Sequence, residues 1–460
     1  MKFYHLLVSL LLAGFAVAQP VPDSTVRPVT NDTMSLAQVF KKGRTSGHFR
    51  YYFMATQNKK ELQDFYGNAI GGGLKYETAP FYGFAFGIGG FFVYNVGSTN
   101  FTKTRQPSRY ESALFDLEDP ANTNDMSRLD ALYIKYANNR TKIVFGKQLI
   151  NTPFINPQDG RMQPTTVEGL YALSNPTDKL TLEGGWLYKF SPRSTVKWYS
   201  VEQSIGINPQ GLNQDGSVGN YAGNLNSKGV IIAGVTFKPI KELQVKLFEQ
   251  FTENIFNTAF LQADAVKENG SKKFLISVQY IRQEALNYGG NKDFSKTYFG
   301  RNNKVNILGL KIGVEKKDWH SSLNYTRIFE GGRFTSPREW GIEPLFTTLP
   351  RERNEGLGNV HAIVMKVKKI VWKEQLQIEA GYGQYYTPGV NNTKENKYGM
   401  PSYRHAKLSA DYEFKDHLQG LTASLLLVYK GRLGSQIIEW QNTLNKVGMS
   451  HFNFMINYLF

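Results

Sequence analysis

The sequence predicts an all-β protein, a transmembrane antiparallel up-and-down β-barrel of about eighteen strands with long loops at one end and short turns at the other. Three observations carry this. The stretch HFNFMINYLF alternates strictly, with Phe452, Phe454, Ile456, Tyr458 and Phe460 on one face and Asn453, Met455, Asn457 and Leu459 on the other. A lipid-facing strand can finish on an aromatic at the bilayer interface, which is where Phe460 is expected. The opening stretch reads as an export signal, and between the two ends strand patterns are separated alternately by short and by long polar connections.

In the opening stretch, Lys2 precedes the apolar run LLVSLLLAGFAVA, and Ala16-Val17-Ala18 is a small-x-small cleavage site. Residues 1–18 are therefore expected to leave as a signal peptide, so that 460 − 18 = 442 residues remain. The chain has no cysteine, which removes thiolate chemistry, Cys-based metal sites and a lipoprotein anchor. No second run of ~18 apolar residues exists, so spanning by helices is excluded. The hydrophobic fraction of 41% looks soluble, but alternation of lipid-facing with polar residues gives a barrel the same average. The 26 Tyr and 31 Phe exceed what a soluble core uses and suit interfacial girdles. A net charge of +16 would fit nucleic acid, but export removes that partner. The excess charge then serves anionic solutes or lipid headgroups.

Residues 19–44, with Pro20, Pro22 and Pro28, read as an irregular periplasmic arm in which LAQVFKKG forms a helical turn. The barrel is expected over 45–460. In SGHFRYYFMAT, Phe49, Tyr51 and Phe53 form the lipid face, which places Arg50 in the lumen. YGNAIGGGLKYE and FYGFAFGIGGFFVYNV flank a turn at Ala79-Pro80. No helix pattern or Gly-Lys-Ser/Thr follows their glycines, which therefore mark close packing or a bulge rather than a phosphate loop. After a polar stretch near 97–126, RLDALYIKYANN and TKIVFGKQL meet at Asn-Asn. Long connections follow near 149–164, 191–228, 284–302, 330–357, 387–402 and 431–446. Short ones fall at SNPTDK, KPIKE, KENGSKK, EKKDW, KKIVWKEQ and FKDHLQG. The count is even only if NIFNTAFLQADAV is a strand, and a barrel of about eighteen strands is wide enough for an aqueous lumen.

Two long loops differ in chemistry. INTPFINPQDGRMQPTTVEGLYAL sets three prolines around Asp159 and Arg161. EGGRFTSPREWGIEPLFTTLPRERNEGLGNVHA holds Arg333, Arg338, Arg351 and Arg353 among Glu339, Glu343, Glu352 and Glu355, braced by prolines and Trp340. Prolines lower loop entropy and suit a loop of fixed shape, such as one folded inward to narrow a pore. Guanidinium groups at a constriction would select carboxylate-bearing solutes. The alternative is that these Arg–Glu sets only pin loops to one another.

HFRYYF, YGFAFGIGGFFVYNV, DGRMQPTTVEGL and most specifically PREWGIEPLFTTLPRERNEGLG resemble the OprD-type outer-membrane porin family, across essentially the whole mature chain. The resemblance implies an eighteen-stranded barrel, monomeric or homotrimeric, with the third and seventh extracellular loops folded into the lumen. That puts Asp159, Arg161, Arg333, Arg338, Glu339, Arg351, Glu352 and Arg353 at the constriction. It also implies a ladder of basic residues on the wall. Arg50, His405, Lys407 and Lys430 are its candidates here, interrupted by Asp411 and Glu413. Phe452, Phe454, Tyr458 and Phe460 resemble the terminal strand that the barrel assembly machinery recognises. The function implied is passive diffusion of small hydrophilic solutes, with preference for carboxylates, across a Gram-negative outer membrane.

Nothing points to catalysis or to a cofactor. No G-x-S-x-G, H-E-x-x-H, EF-hand or P-loop is present, and the seven His are scattered without an i, i+4 pair. A plugged 22-stranded transporter needs more chain than this. The competing reading is a non-conducting structural or adhesive barrel whose loops bind a partner.

Overall fold

The computed structural model describes residues 34–158, 160–435 and 438–460, so the signal segment, residues 19–33 of the arm and Asp159 lie outside the described residues. A six-residue helix, Leu36–Lys41, opens the described chain with Ser35 and Gln38 forming a capping box. It lies against the turn after the second strand, where the Val39 carbonyl accepts from the Ala79 N–H at 3.1 Å.

The barrel strands are β1 (Arg44–Gln57), β2 (Phe65–Glu77), β3 (Phe84–Asn95), β4 (Met126–Ala137), β5 (Thr141–Gln148), β6 (Thr166–Thr177) and β7 (Leu180–Ser191). After the two-residue β8 (Tyr199–Ser200) come β9 (Val230–Ile240), β10 (Leu243–Thr252), β11 (Phe256–Asn269), β12 (Lys272–Ala285), β13 (Lys304–Lys316) and β14 (Trp319–Ile328). The last are β15 (Val360–Val371), β16 (Leu376–Tyr386), β17 (Tyr403–Glu413), β18 (Leu421–Arg432) and β19 (Met449–Leu459). All nineteen belong to one antiparallel sheet, and without β8, which only pairs with the end of β7, eighteen strands close the barrel. NIFNTAFLQADAV lies mostly in β11, as the even count requires.

Closure is made by β1 against β19 in continuous register from His48↔Leu459 to Gln57↔Ser450. Aromatic pairs run down the seam on the lipid side: Phe49 stacks on Phe460 at 5.6 Å, and Tyr51 and Phe53 meet Phe454 and Phe452 edge-on. The opposite faces of the same strands bury Arg50, Tyr52, Asn453 and Asn457. Short turns occupy one end and long loops the other, which is the extracellular end in barrels of this kind. Two connections at the long-loop end are nevertheless short, 58–64 and 253–255. The long ones are L2 (96–125), L3 (149–165), L4 (192–229), L6 (286–303), L7 (329–359), L8 (387–402) and L9 (433–448).

The glycine-rich strands do both things the sequence suggests. The β3–β4 register shifts between Gly89 and Gly90, a bulge. On β2, a Cβ at Gly71 would lie 2.5 Å from the Phe92 carbonyl oxygen and 3.0 Å from the Met162 methyl of L3. Gly71→Val is therefore expected to destabilise the folded barrel by about 1–3 kcal/mol, the usual cost of overpacking. Urea unfolding in detergent micelles measures it, and wild-type stability would refute the close-approach account.

Candidate functional site

A continuous cavity of about 1870 Å³ runs through the barrel. Its lining reaches from Asp318 and Trp319 at the short-turn end to Trp440 and Asn442 in L9. The cavity occupies only part of the lumen, because L3, L4 and L7 pack inside the barrel against the wall. Trp340 of L7 is fully buried, stacks on Phe190 at 4.5 Å and donates from its indole nitrogen to the Ser204 hydroxyl at 2.8 Å. Phe334, Leu345, Leu349 and Leu357 of L7 join Phe154 and Ile155 of L3 and Val201 and Ile205 of L4 in the same apolar cluster. Each large side chain so buried contributes about 1.5–3 kcal/mol, which is why L7 keeps one shape inside the barrel.

Charged groups fix the loop further. The Arg338 guanidinium binds Glu355 at 2.7 Å and lies 4.1 Å from the Tyr398 ring centre, while Lys397 reaches Glu355 at 3.4 Å. Arg353 lies 3.5 Å from Glu343 and donates to the Gly341 carbonyl. Glu352 descends onto the wall, where Lys430 binds it at 2.7 Å and His405 approaches to 3.9 Å. Burial alone would raise the Glu352 carboxyl, but Lys430 and then His405 hold it well below the carboxylate range. Arg351, at φ +65°, donates to His451 Nε2 at 2.9 Å and to the Tyr52 hydroxyl at 3.1 Å. Arg161, at φ +52° in L3, offers its carbonyl to Arg50, which also donates to Asn457.

The structure sorts the expected site residues into two groups. Arg50, Arg161, Arg338, Arg351, Glu352 and Arg353 line the cavity. Arg333 and Glu339 differ from expectation and do not line it, because both are consumed in holding L4. Arg333 donates to the Leu212 and Asn213 carbonyls, and Glu339 accepts from the Gly206 and Asn208 N–H groups at 3.2 and 2.8 Å. His405, Lys407 and Lys430 also differ. They point inward from the wall, as alternation requires, but are buried and absent from the cavity lining. L7 covers His405 and Lys430 through Glu352, and Lys407 is bound to Glu379 at 2.8 Å. Asp159 is among the residues left undescribed.

The sequence reading passed over Lys311, Lys366, Arg109 and Lys446, all of which line the cavity. Lys366 donates to the Thr348 carbonyl at 2.9 Å and Lys311 lies 5.0 Å from the Phe346 ring centre, both at the tip of L7. The alternation in GLKIGV and VMKVKK carries this signal, since Lys311 and Lys366 lie opposite the apolar lipid face. Along the whole cavity, fifteen Lys and Arg stand against six Asp and Glu among the described residues.

The family described as outer membrane porin, OprD family, matches residues 44–309, more than half of the chain. The chain belongs to the OprD family. It is thus a porin, through which small hydrophilic solutes diffuse passively across a Gram-negative outer membrane. Solved structures agree in fold. Pseudomonas aeruginosa OpdK, crystallised with vanillate, is 13% identical with a TM-score of 0.71 over 92% of this chain and 99% of that one. Pseudomonas aeruginosa OccK8 (OprE) is 15% identical with a TM-score of 0.71 over 92% and 99%. Acinetobacter baumannii OccAB4 is 13% identical with a TM-score of 0.69 over 91% and 98%. No curated protein matches the sequence.

The Glu352 brace makes a prediction with a definite sign. A carboxyl whose folded pKa is depressed stabilises the fold above its unfolded value near 4.5, and that stability is lost only as pH falls through the lower folded value. Open-channel current noise should therefore be alike at pH 7 and pH 4.5. Glu352→Gln, which leaves Lys430 buried without its counter-ion, should cost roughly 3–5 kcal/mol and give flickering openings at both pH values. A quiet Glu352→Gln channel would contradict the brace.

Proposed function

We propose that this porin prefers small carboxylates, drawn electrostatically along the cavity, with no covalent step or cofactor. The observation that carries the proposal is the excess of cations over acids along a cavity that spans the barrel. Field lines focus between low-dielectric walls, so an excess of this kind concentrates anions in a narrow passage. Arg50, Arg161 and Arg351 meet where L3 and L7 approach β1, and Lys311 and Lys366 face the tip of L7. Guanidinium groups there suit a carboxylate's planar, bidentate geometry. Apolar L7 side chains, Phe346 and Leu349, line the same stretch and would suit the hydrocarbon part of an organic acid. The vanillate found with OpdK is a solute of this type, an aromatic ring bearing one carboxylate.

The experiment is liposome swelling with vanillate against vanillyl alcohol, which matches it in size without the charge, together with the reversal potential in a KCl gradient. Faster vanillate entry and an anion-selective potential are expected. Arg161→Gln combined with Arg351→Gln should bring the two swelling rates together. Equal rates in the wild-type channel, or cation selectivity, would refute the preference.

Cleavage after Ala18 would release a mature chain beginning at Gln19, with its arm on the periplasmic side; the intact mass of the protein purified from outer membranes tests this. The aromatic lipid face of β19, from Phe452 to Phe460, is the segment we assign to the barrel assembly machinery. Deleting Phe460, which removes its stack on Phe49, should slow assembly, read as unfolded protein persisting after synthesis in vivo. A homotrimer is the assembly to examine first, by mass measurement in detergent.

A further inference from the structure

At the long-loop mouth, above the meeting of Arg50, Arg161 and Arg351 and joined to it where the Tyr110 hydroxyl lies 3.4 Å from the Arg351 carbonyl, four loops are tied into a ring that presents cations to the cavity. The Tyr110 hydroxyl of L2 donates to the Asn445 carbonyl of L9 at 3.0 Å, and the Asn445 amide donates back to the Pro107 carbonyl at 3.0 Å. These bonds hold Arg109 beside Lys446. The Lys446 amine donates to the Tyr398 carbonyl of L8 and to the Gln441 carbonyl at 2.8 Å. The Tyr398 ring in turn stacks against Arg338 of L7. Arg109, Arg338 and Lys446 thus hang on one chain of contacts, Tyr110–Asn445–Lys446–Tyr398, and all three line the cavity.

Their charge balance is one-sided. Arg109 has no hydrogen bond or ion pair among the described residues and only lies near its neighbour's ring, and Lys446 is held by carbonyl oxygens alone. Glu355 is the acid of the group, and it is shared by Arg338 and Lys397. Four cations and one carboxylate leave a formal charge of about +3 facing the cavity mouth when the Lys446 amine is protonated. Burial, then the charges of Arg109 and Arg338, push that amine down to about 7, and no acidic group offsets them. A structural role needs no such arrangement, because like charges held together raise each other's energy unless an anion joins them.

We propose that Arg109, Arg338 and Lys446 form an anion-docking site at the long-loop mouth, which holds small oxyanions bearing two or three negative charges before they enter the pore. Its ligands are multivalent carboxylates or phosphates, and a monocarboxylate would be held too weakly to dwell. The site depends on the barrel being an open channel but not on carboxylate preference deeper in the cavity, so the two readings fail separately.

Single-channel recording in planar bilayers tests it, with citrate, pyrophosphate or acetate added to one chamber at a time. Citrate, pyrophosphate or both should cause brief closures when added on the long-loop side, and which of them acts identifies carboxylate or phosphate as the source. Acetate should cause none. The double variant Arg109→Gln, Lys446→Gln should lower the closure rate about tenfold, the low end of electrostatic steering. The charge-keeping pair Arg109→Lys, Lys446→Arg should keep it, with heat-modifiable gel mobility confirming a folded barrel in each. Closures that are absent, equally frequent from both sides, unchanged in the Gln pair or lost in the charge-keeping pair would overturn the proposal.

Discussion

Everything in this structure depends on the absence of water from the hydrocarbon core. A strand that crosses lipid must hand every backbone N–H and C=O to a neighbouring strand, and a sheet with two edges cannot do so. The seam between β1 and β19 answers that requirement, with an unbroken register and an aromatic ladder on the lipid side. Closure also fixes which way each side chain points. Once Phe49 faces lipid, Arg50 has nowhere to go but the interior, where Asn457 and the Arg161 carbonyl receive it.

Inside the barrel a different balance rules. L7 is rich in charge, yet what holds it is an apolar cluster around Trp340, and its ion pairs close over that cluster. Buried charges are tolerable only when paired and hydrogen-bonded, and Glu352 meets that demand by landing on Lys430 and His405. Arg333 and Glu339 are wholly taken up in holding L4, whereas Arg338, Glu352 and Arg353 brace L7 and line the cavity as well.

This division explains what could be read from the sequence. Strand number, the positions of L3 and L7 and the inward side of Arg50 follow from alternation and loop length, which are local. The work of Arg333 and Glu339 was not legible, because their partners are backbone groups of L4 more than a hundred residues away. Nor was the burial of His405 and Lys430, since a strand pattern says which side faces inward but not what lies on top. One local signal was present. Val360, Ala362 and Val364 are fully buried on the inner side of β15, while Ile363 and Met365 face lipid. A strand apolar on both faces announces that something dry packs within the barrel, and the same holds for Val230 and Ile232 in β9.

That dry packing lies along the wall from β6 to β16, where Val167, Phe190, Phe256 and Tyr385 support the folded loops. The aperture is consequently narrowed by the folded loops, and its width is not set by the number of strands. Such a design separates the two dimensions of the protein. The sheet must stay constant, because lipid and closure dictate it, whereas the filling can be recast residue by residue to change what passes. A lineage built this way can diversify its traffic without ever reopening the problem of how to cross a membrane.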